Sequence, residues 1–103
     1  MNIGYSVRFC RQQKRITIPE LARRAELSTS YLSLVERGKR EPSFDALNEI
    51  CRALQVPMSV LIFLGSDPSE LSGLTEEVRE KLSSAVLKLL RLGAGDPSQE
   101  ATV

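Results

Sequence analysis

The 103-residue sequence has no histidine and no tryptophan, and only two cysteines, Cys10 and Cys51. Without histidine, the commonest general base near neutral pH is missing. Neither cysteine belongs to a CxxC pair or lies near another ligand type, which speaks against zinc. Both fall where a helical pattern calls for an apolar residue, so they read as core thiols. There is no glycine-rich phosphate loop, and the carboxylates lie mainly on the outsides of amphipathic helices. The expectation is a protein that is not an enzyme and that uses no cofactor and no metal. No apolar run approaches the roughly 18 residues that a membrane span needs. The N-terminus also lacks a basic-then-apolar signal pattern. No membrane partner and a cytoplasmic location are expected.

What is present is unevenly placed. The whole chain carries a net charge of +1, yet residues 1–42 hold nine Lys/Arg against four Asp/Glu, and residues 43–103 hold five against nine. A basic half beside an acidic half points to a polyanion as partner for the first, although solvated helix faces produce the same asymmetry. The apolar fraction of 42% suits one modest core, and the length suits one domain with an appendage.

Helical spacing runs almost without interruption. A first helix covers about 3–14, with Val7 and Cys10 inward. Thr17 reads as the N-cap of a second, with Glu20 three residues on as the other half of a capping box and Pro19 tolerated in the first turn. This helix carries Leu21, Ala22 and Ala25. Ser28 caps a third helix, and Gly38 stops it. Ser43 caps a fourth, with Phe44, Leu47, Ile50, Cys51 and Leu54 on one face. Pro57 and Ser59 open a short fifth that ends near Leu64. The turn-rich stretch GSDPSELSG, residues 65–73, then interrupts the pattern. A longer helix follows, capped by Thr75, with Glu76 and Glu77 where the dipole favours acids, and it runs to about Leu92. The tail 93–103 has no apolar periodicity and is expected to be disordered. No strand and no repeat is legible. The expected architecture is therefore all-α: a five-helix domain over 1–65, an amphipathic C-terminal helical segment over 66–92, and the tail.

Only about three residues, 26–28, separate the second helix from the third, and two helices joined so tightly and crossing steeply make a helix-turn-helix. Leu21, Ala25, Leu27, Leu32 and Val35 would form the wedge between them, with small Ala22 at the closest approach. On the third helix, Tyr31, Leu32 and Val35 share one side, and Thr29, Ser30, Ser33, Leu34 and Arg37 share the other. A polar, acid-free outward face of this kind fits a DNA major groove.

The segment TIPELARRAELSTSYLSLVERGKREPSFDALNEICRALQVP resembles the Cro/C1-type, or Xre, helix-turn-helix domain of phage repressors and bacterial regulators, a lambda-repressor-like fold. The marks are ELA at 20–22, ERGKREPS at 36–43 and ALQV at 53–56, within a five-helix spacing over roughly 3–64. The resemblance implies that Thr29, Ser30, Leu34 and neighbouring Ser33 reach base edges of double-stranded DNA. It implies phosphate contacts from Ile18 and from the loop holding Lys39 and Arg40, with Arg37 beside them. It also implies a structural ion pair between Arg11 and Glu36. The chain departs from the family at two positions. Ile18 stands where glutamine is common, so only its backbone N–H could meet a phosphate. Glu26 stands where glycine is common, and a positive φ there would cost roughly 1 kcal/mol. The reading positions also lack Arg, Gln and Asn, which make bidentate base contacts. More of the specificity is then expected from DNA shape and the flanking cations. Arg23 and Arg24 read as a solvated face.

In the last helix, Val78, Leu82, Ala85, Leu89 and Leu92 recur at alternating steps of four and three, and Val86 and Leu90 widen the stripe. This stripe either folds onto its own domain, with Leu71 and Leu74 beneath it, or forms a homodimer seam. A single recognition helix reads few base pairs, so a two-fold dimer on a palindrome is expected. The favoured reading is a prokaryotic or phage-encoded transcriptional regulator, a repressor by preference. An antitoxin that masks a toxin partner, a restriction–modification controller, and an interaction module without DNA binding remain as alternatives.

Overall fold

The computed structural model describes residues 1–67, 69–70, 72–73 and 76–93, the last five by backbone alone. Leu71, Leu74, Thr75, residues 94–103 and the side chains of Leu89, Leu90 and Leu92 lie outside the described residues. The regular structure is all helical: α1 (Ile3–Gln13), α2 (Ile18–Ala25), α3 (Thr29–Glu36), α4 (Phe44–Leu54), α5 (Met58–Gly65) and α6 (Glu76–Gly93).

The first four helices start alike. Asn2, Thr17, Ser28 and Ser43 stand in the cap positions, and the side-chain oxygen of each accepts the N–H three residues on, from Tyr5, Glu20, Tyr31 and Ala46 at 2.9–3.2 Å. Each cap satisfies one of the orphan donors of a helix start. At α2 only half of the expected capping box forms. The Glu20 carboxylate pairs with Arg23 and Arg24, at 2.5 and 2.6 Å, rather than turning back to Thr17.

These four helices also stop alike. After each one a single residue turns left-handed: Arg15 at φ 60°, Glu26 at 58°, Gly38 at 72° and Gln55 at 58°. The N–H of the next residue reaches back five positions, from Ile16 to Arg11, Leu27 to Ala22, Lys39 to Leu34 and Val56 to Cys51, at 2.9–3.3 Å. This is the Schellman motif, which satisfies carbonyls that the helix end would leave bare. In three of the four cases the residue after the turn is apolar and packs on the core: Ile16, Leu27 and Val56. In the fourth, after α3, it is Lys39, and it is exposed.

Leu21, Leu32, Ile50, Leu54, Leu61, Val7 and Cys10 are fully enclosed in one core that joins α1 to α5, and Val86 of α6 belongs to the same cluster. Ala22 and Ala25 are buried where α2 meets its neighbours. Gly4 lets α1 run against α3: a Cβ there would strike the backbone oxygen of Val35. The Ser6 hydroxyl donates to the Leu61 carbonyl and ties α1 to α5. Phe44 departs from its expected inward face. It is the first residue of α4, beyond the reach of the core, and it is 70% exposed. No single helix among the described residues is long and apolar enough to cross a membrane. Only α4 and α5 together, bent by 103°, pass by length and composition, and Ile50, Leu54, Val60 and Leu61 on them are core.

Candidate nucleic-acid interface

Packing from behind sets the orientation of α3. Leu32 and Val35 are buried, and the left-handed turn at Glu26 brings α3 back across α2 within three residues. The opposite face is consequently outward. Thr29 and Ser30 are exposed at its first two positions, and Ser33 and Leu34 are half-buried further along. Leu34 stays outside the core cluster. Ser28 supplies the cap, and the Thr29 and Ser30 hydroxyls have no hydrogen-bond partner among the described residues.

The basic loop flanks this face. Arg37, Lys39 and Arg40 are all exposed. The Arg37 Nε–H reaches back to the Ser33 carbonyl at 3.4 Å, and the Arg40 guanidinium lies over the Tyr31 ring, 5.2 Å from its centroid. Lys39 has no side-chain partner among the described residues. On the other flank, at the start of α2, the Ile18 side chain packs on the core. Pro19 has no N–H, and those of Glu20 and Leu21 are bonded to Thr17. The Ile18 N–H is the donor of that first turn without a partner among the described residues.

Glu20, in the first turn of α2, is paired in place. Hydrogen bonds from Arg23, then Arg24, hold the Glu20 carboxyl down to about 2. Glu20 therefore stays ionised but sits between two guanidinium groups. Arg23 and Arg24 are engaged by this pairing.

Behind the interface, Arg11 of α1 grips Glu36 at the end of α3. Its Nε–H donates to one carboxylate oxygen at 2.7 Å and a terminal N–H donates to the other at 3.0 Å. A further terminal N–H donates to the Ile16 carbonyl at 3.0 Å. Glu36 is 4% exposed and Arg11 13%. A charge so enclosed is tolerable only with its partner present, so the pair fixes the end of α3 to α1 just before the basic loop. Two features of the site were not read from the sequence. One is the role of Tyr31 in the loop, which depends on contacts nine and twelve residues away. The other is the exposure of Phe44, for which the position at a helix start was the available signal.

The residues expected on the α6 seam separate. Val86 is 4% exposed and belongs to the chain's own core, whereas Val78 and Leu82 are 41% and 40% exposed and Ala85 is exposed as well.

A family model for the helix-turn-helix matches residues 7–61. The chain belongs to the helix-turn-helix family. Over 60 residues it is 42% identical to the transcriptional regulator ClgR of Mycobacterium tuberculosis, covering 58% of this chain and 54% of that protein. It is 32% identical over 62 residues to the immunity repressor protein of Bacillus phage phi105, covering 60% of this chain and 43% of that one. Among solved structures, the clp gene regulator ClgR from Corynebacterium glutamicum is similar with a TM-score of 0.64 at 28% identity, over 82% of this chain and 89% of that one. The chain spans about half the length of the curated relatives it matches. The helix-turn-helix match takes in α2, α3 and α4 whole and leaves α6 outside.

Proposed function

We propose that this helix-turn-helix chain is a transcriptional regulator that binds double-stranded DNA in the cytoplasm and acts as a repressor, as a homodimer on a two-fold operator. The observation that carries the reading is the outward face of α3. It is acid-free, supported from behind by buried Leu32 and Val35, and flanked by three exposed cations. In the major groove, Thr29, Ser30 and Ser33 offer short hydroxyl contacts to base edges, and Leu34 offers a surface for a thymine methyl. The Ile18 N–H and the side chains of Arg37, Lys39 and Arg40 are placed for phosphates on the two flanks. With no bidentate reader among the four base-facing residues, much of the selectivity comes from DNA shape.

Repression needs little beyond the α3 face. An α3 seated in an operator excludes other proteins from that stretch of groove without any further surface. The dimer is proposed to use Val78, Leu82 and Ala85, the exposed part of the α6 stripe.

Selection of bound duplexes from a random pool at moderate salt tests the reading. A two-fold motif with half-site centres about one helical turn apart, ~34 Å, is the expected result. A pool with no enrichment would sink sequence-specific binding. Replacing Lys39 by Ala is expected to weaken binding to all duplexes alike and to lower the salt slope by about one. A loss confined to particular sequences would remove Lys39 from the phosphate set.

A further inference from the structure

Tyr31 lies on the inward side of α3 by helical spacing, yet both partners of its side chain belong to the loop that follows the helix. Its ring carries the Arg40 guanidinium at 5.2 Å. Its hydroxyl oxygen accepts the Ser43 backbone N–H at 3.3 Å. Ser43 in turn caps α4 through the Ala46 N–H at 3.1 Å. One side chain of the recognition helix thus touches a cation of the basic loop and the residue where that loop ends.

We infer that Tyr31 is a positioning residue for DNA binding: its ring holds the Arg40 guanidinium over its face and pre-orders it to donate to a phosphate. The inference rests on the proposed phosphate role of Arg40. A guanidinium lying on an aromatic face keeps its N–H donors in its own plane, pointing outward, and a phosphate is bound through that edge. An unstacked arginine samples many rotamers and surrenders that freedom on binding. The ring is itself tied at its tip, where the phenol oxygen accepts the Ser43 N–H, and the Tyr31 backbone is held by the Ser28 cap at 3.0 Å. The neighbouring cations have no such support, since Arg37 folds back along its own helix and Lys39 has no side-chain partner among the described residues.

The test uses the full chain and a short duplex of arbitrary sequence, with affinity measured against salt concentration. Tyr31→Leu is expected to weaken binding about two- to fivefold, the worth of a cation–π contact at an exposed site, and to have no effect in an Arg40→Ala background. Tyr31→Phe keeps the ring and is expected to retain nearly all of the affinity. In the free protein, the Arg40 Nε–H proton is expected to show a ring-current shift that survives in Tyr31→Phe and vanishes in Tyr31→Leu. Arg40→Lys keeps the charge without the planar fork. It is expected to preserve the salt slope and lose as much affinity as Tyr31→Leu, which serves where the leucine variant folds poorly.

An equal loss from Tyr31→Leu with and without Arg40 would overturn the positioning role, as would an Arg40 resonance indifferent to the ring or an unweakened Arg40→Lys. If Arg40→Ala leaves affinity and salt slope unchanged while the ring-current shift is present, the stack exists but Arg40 meets no phosphate. In that case the reading beneath the inference fails.

Discussion

Lys14 shows what a single side chain can cost. It closes α1 with 8% of its surface exposed, and its Nζ has no hydrogen-bond partner among the described residues. Desolvation pushes its ammonium below the ordinary lysine value of 10.5, against a smaller pull from Cys10. Burial also pushes the Cys10 thiol up to about 11 from 9.0, helped by Cys51. The two act on stability in opposite senses. Unfolding lets Lys14 bind a proton that the folded chain resists, so its penalty is full below its folded value and fades as pH rises to 10.5. Folded Cys10 keeps its proton longer than the unfolded chain does, so its contribution is full below 9.0 and is lost as pH climbs through about 11. Lys14→Met removes an unsatisfied buried donor, and it is expected to raise unfolding free energy at pH 7 by on the order of 1 kcal/mol. Its advantage over the parent should narrow as pH approaches 10.5. Urea titrations at several pH values check both, and a constant advantage would mean that Lys14 is solvated in the folded state.

At the scale of the element, four helices share one way of stopping, but only one of them uses glycine. Arg15, Glu26 and Gln55 adopt left-handed backbone in spite of their Cβ atoms, because the closing bonds and the apolar residue that follows each turn outweigh the local cost. Glu26→Gly and Gln55→Gly are each expected to raise stability by about 0.5–1 kcal/mol in chemical denaturation. Gly38→Ala is expected to lower it by roughly 1 kcal/mol, through conformation alone, since nothing lies within 4 Å of the added methyl. A neutral Gly38→Ala would show that the loop after α3 relaxes freely. The sequence was informative about these ends where the residue was conspicuous. Gly38 announced its turn, and the family's glycine preference drew attention to Glu26. Arg15 and Gln55 gave no sign, because their backbone is dictated by what Ile16 and Val56 must bury. At the equivalent point after α3 stands exposed Lys39 instead of a packed apolar residue, so this turn is not anchored to the core by the residue that follows it.

At the scale of the molecule, the charge divides along the fold. The basic surplus of residues 1–42 covers α1 to the loop after α3, whereas α4 to α6 carry five acids against five bases, and the acidic surplus of residues 43–103 comes from Asp67 and Glu70 between α5 and α6 and from Asp96 and Glu100 beyond α6. A polyanion bound to the α3 face therefore meets the half of the sequence that holds the basic surplus. The α6 stripe is divided too. Val86 anchors the helix to its own domain, and Val78 and Leu82 remain outside. A stripe shared in this way leaves one helix face both for docking and for pairing. Replacing Val78 and Leu82 with Glu is expected to give a folded monomer by light scattering, with operator affinity falling at least tenfold, equivalent to about 1.4 kcal/mol. A double variant that still dimerises would move the seam to other residues.

Helical periodicity, the three Ser/Thr caps and the short gap between α2 and α3 are local properties, written in neighbouring residues. From them the all-helical order and the orientation of the α3 face could be read directly. The pairing of Arg11 with Glu36 came from family resemblance, since a separation of twenty-five positions carries no local mark of it, and the third bond of Arg11 to the Ile16 carbonyl was not legible at all. Contacts that close through space were decided only when the helices packed: the ring of Tyr31 under Arg40, the phenol on Ser43, the burial of Lys14, the outward Phe44 and the capture of Val86 by the core. A helical pattern states which residues can share a face. Which neighbour covers that face depends on the crossing of helices distant in sequence, and that crossing is set by the whole core at once.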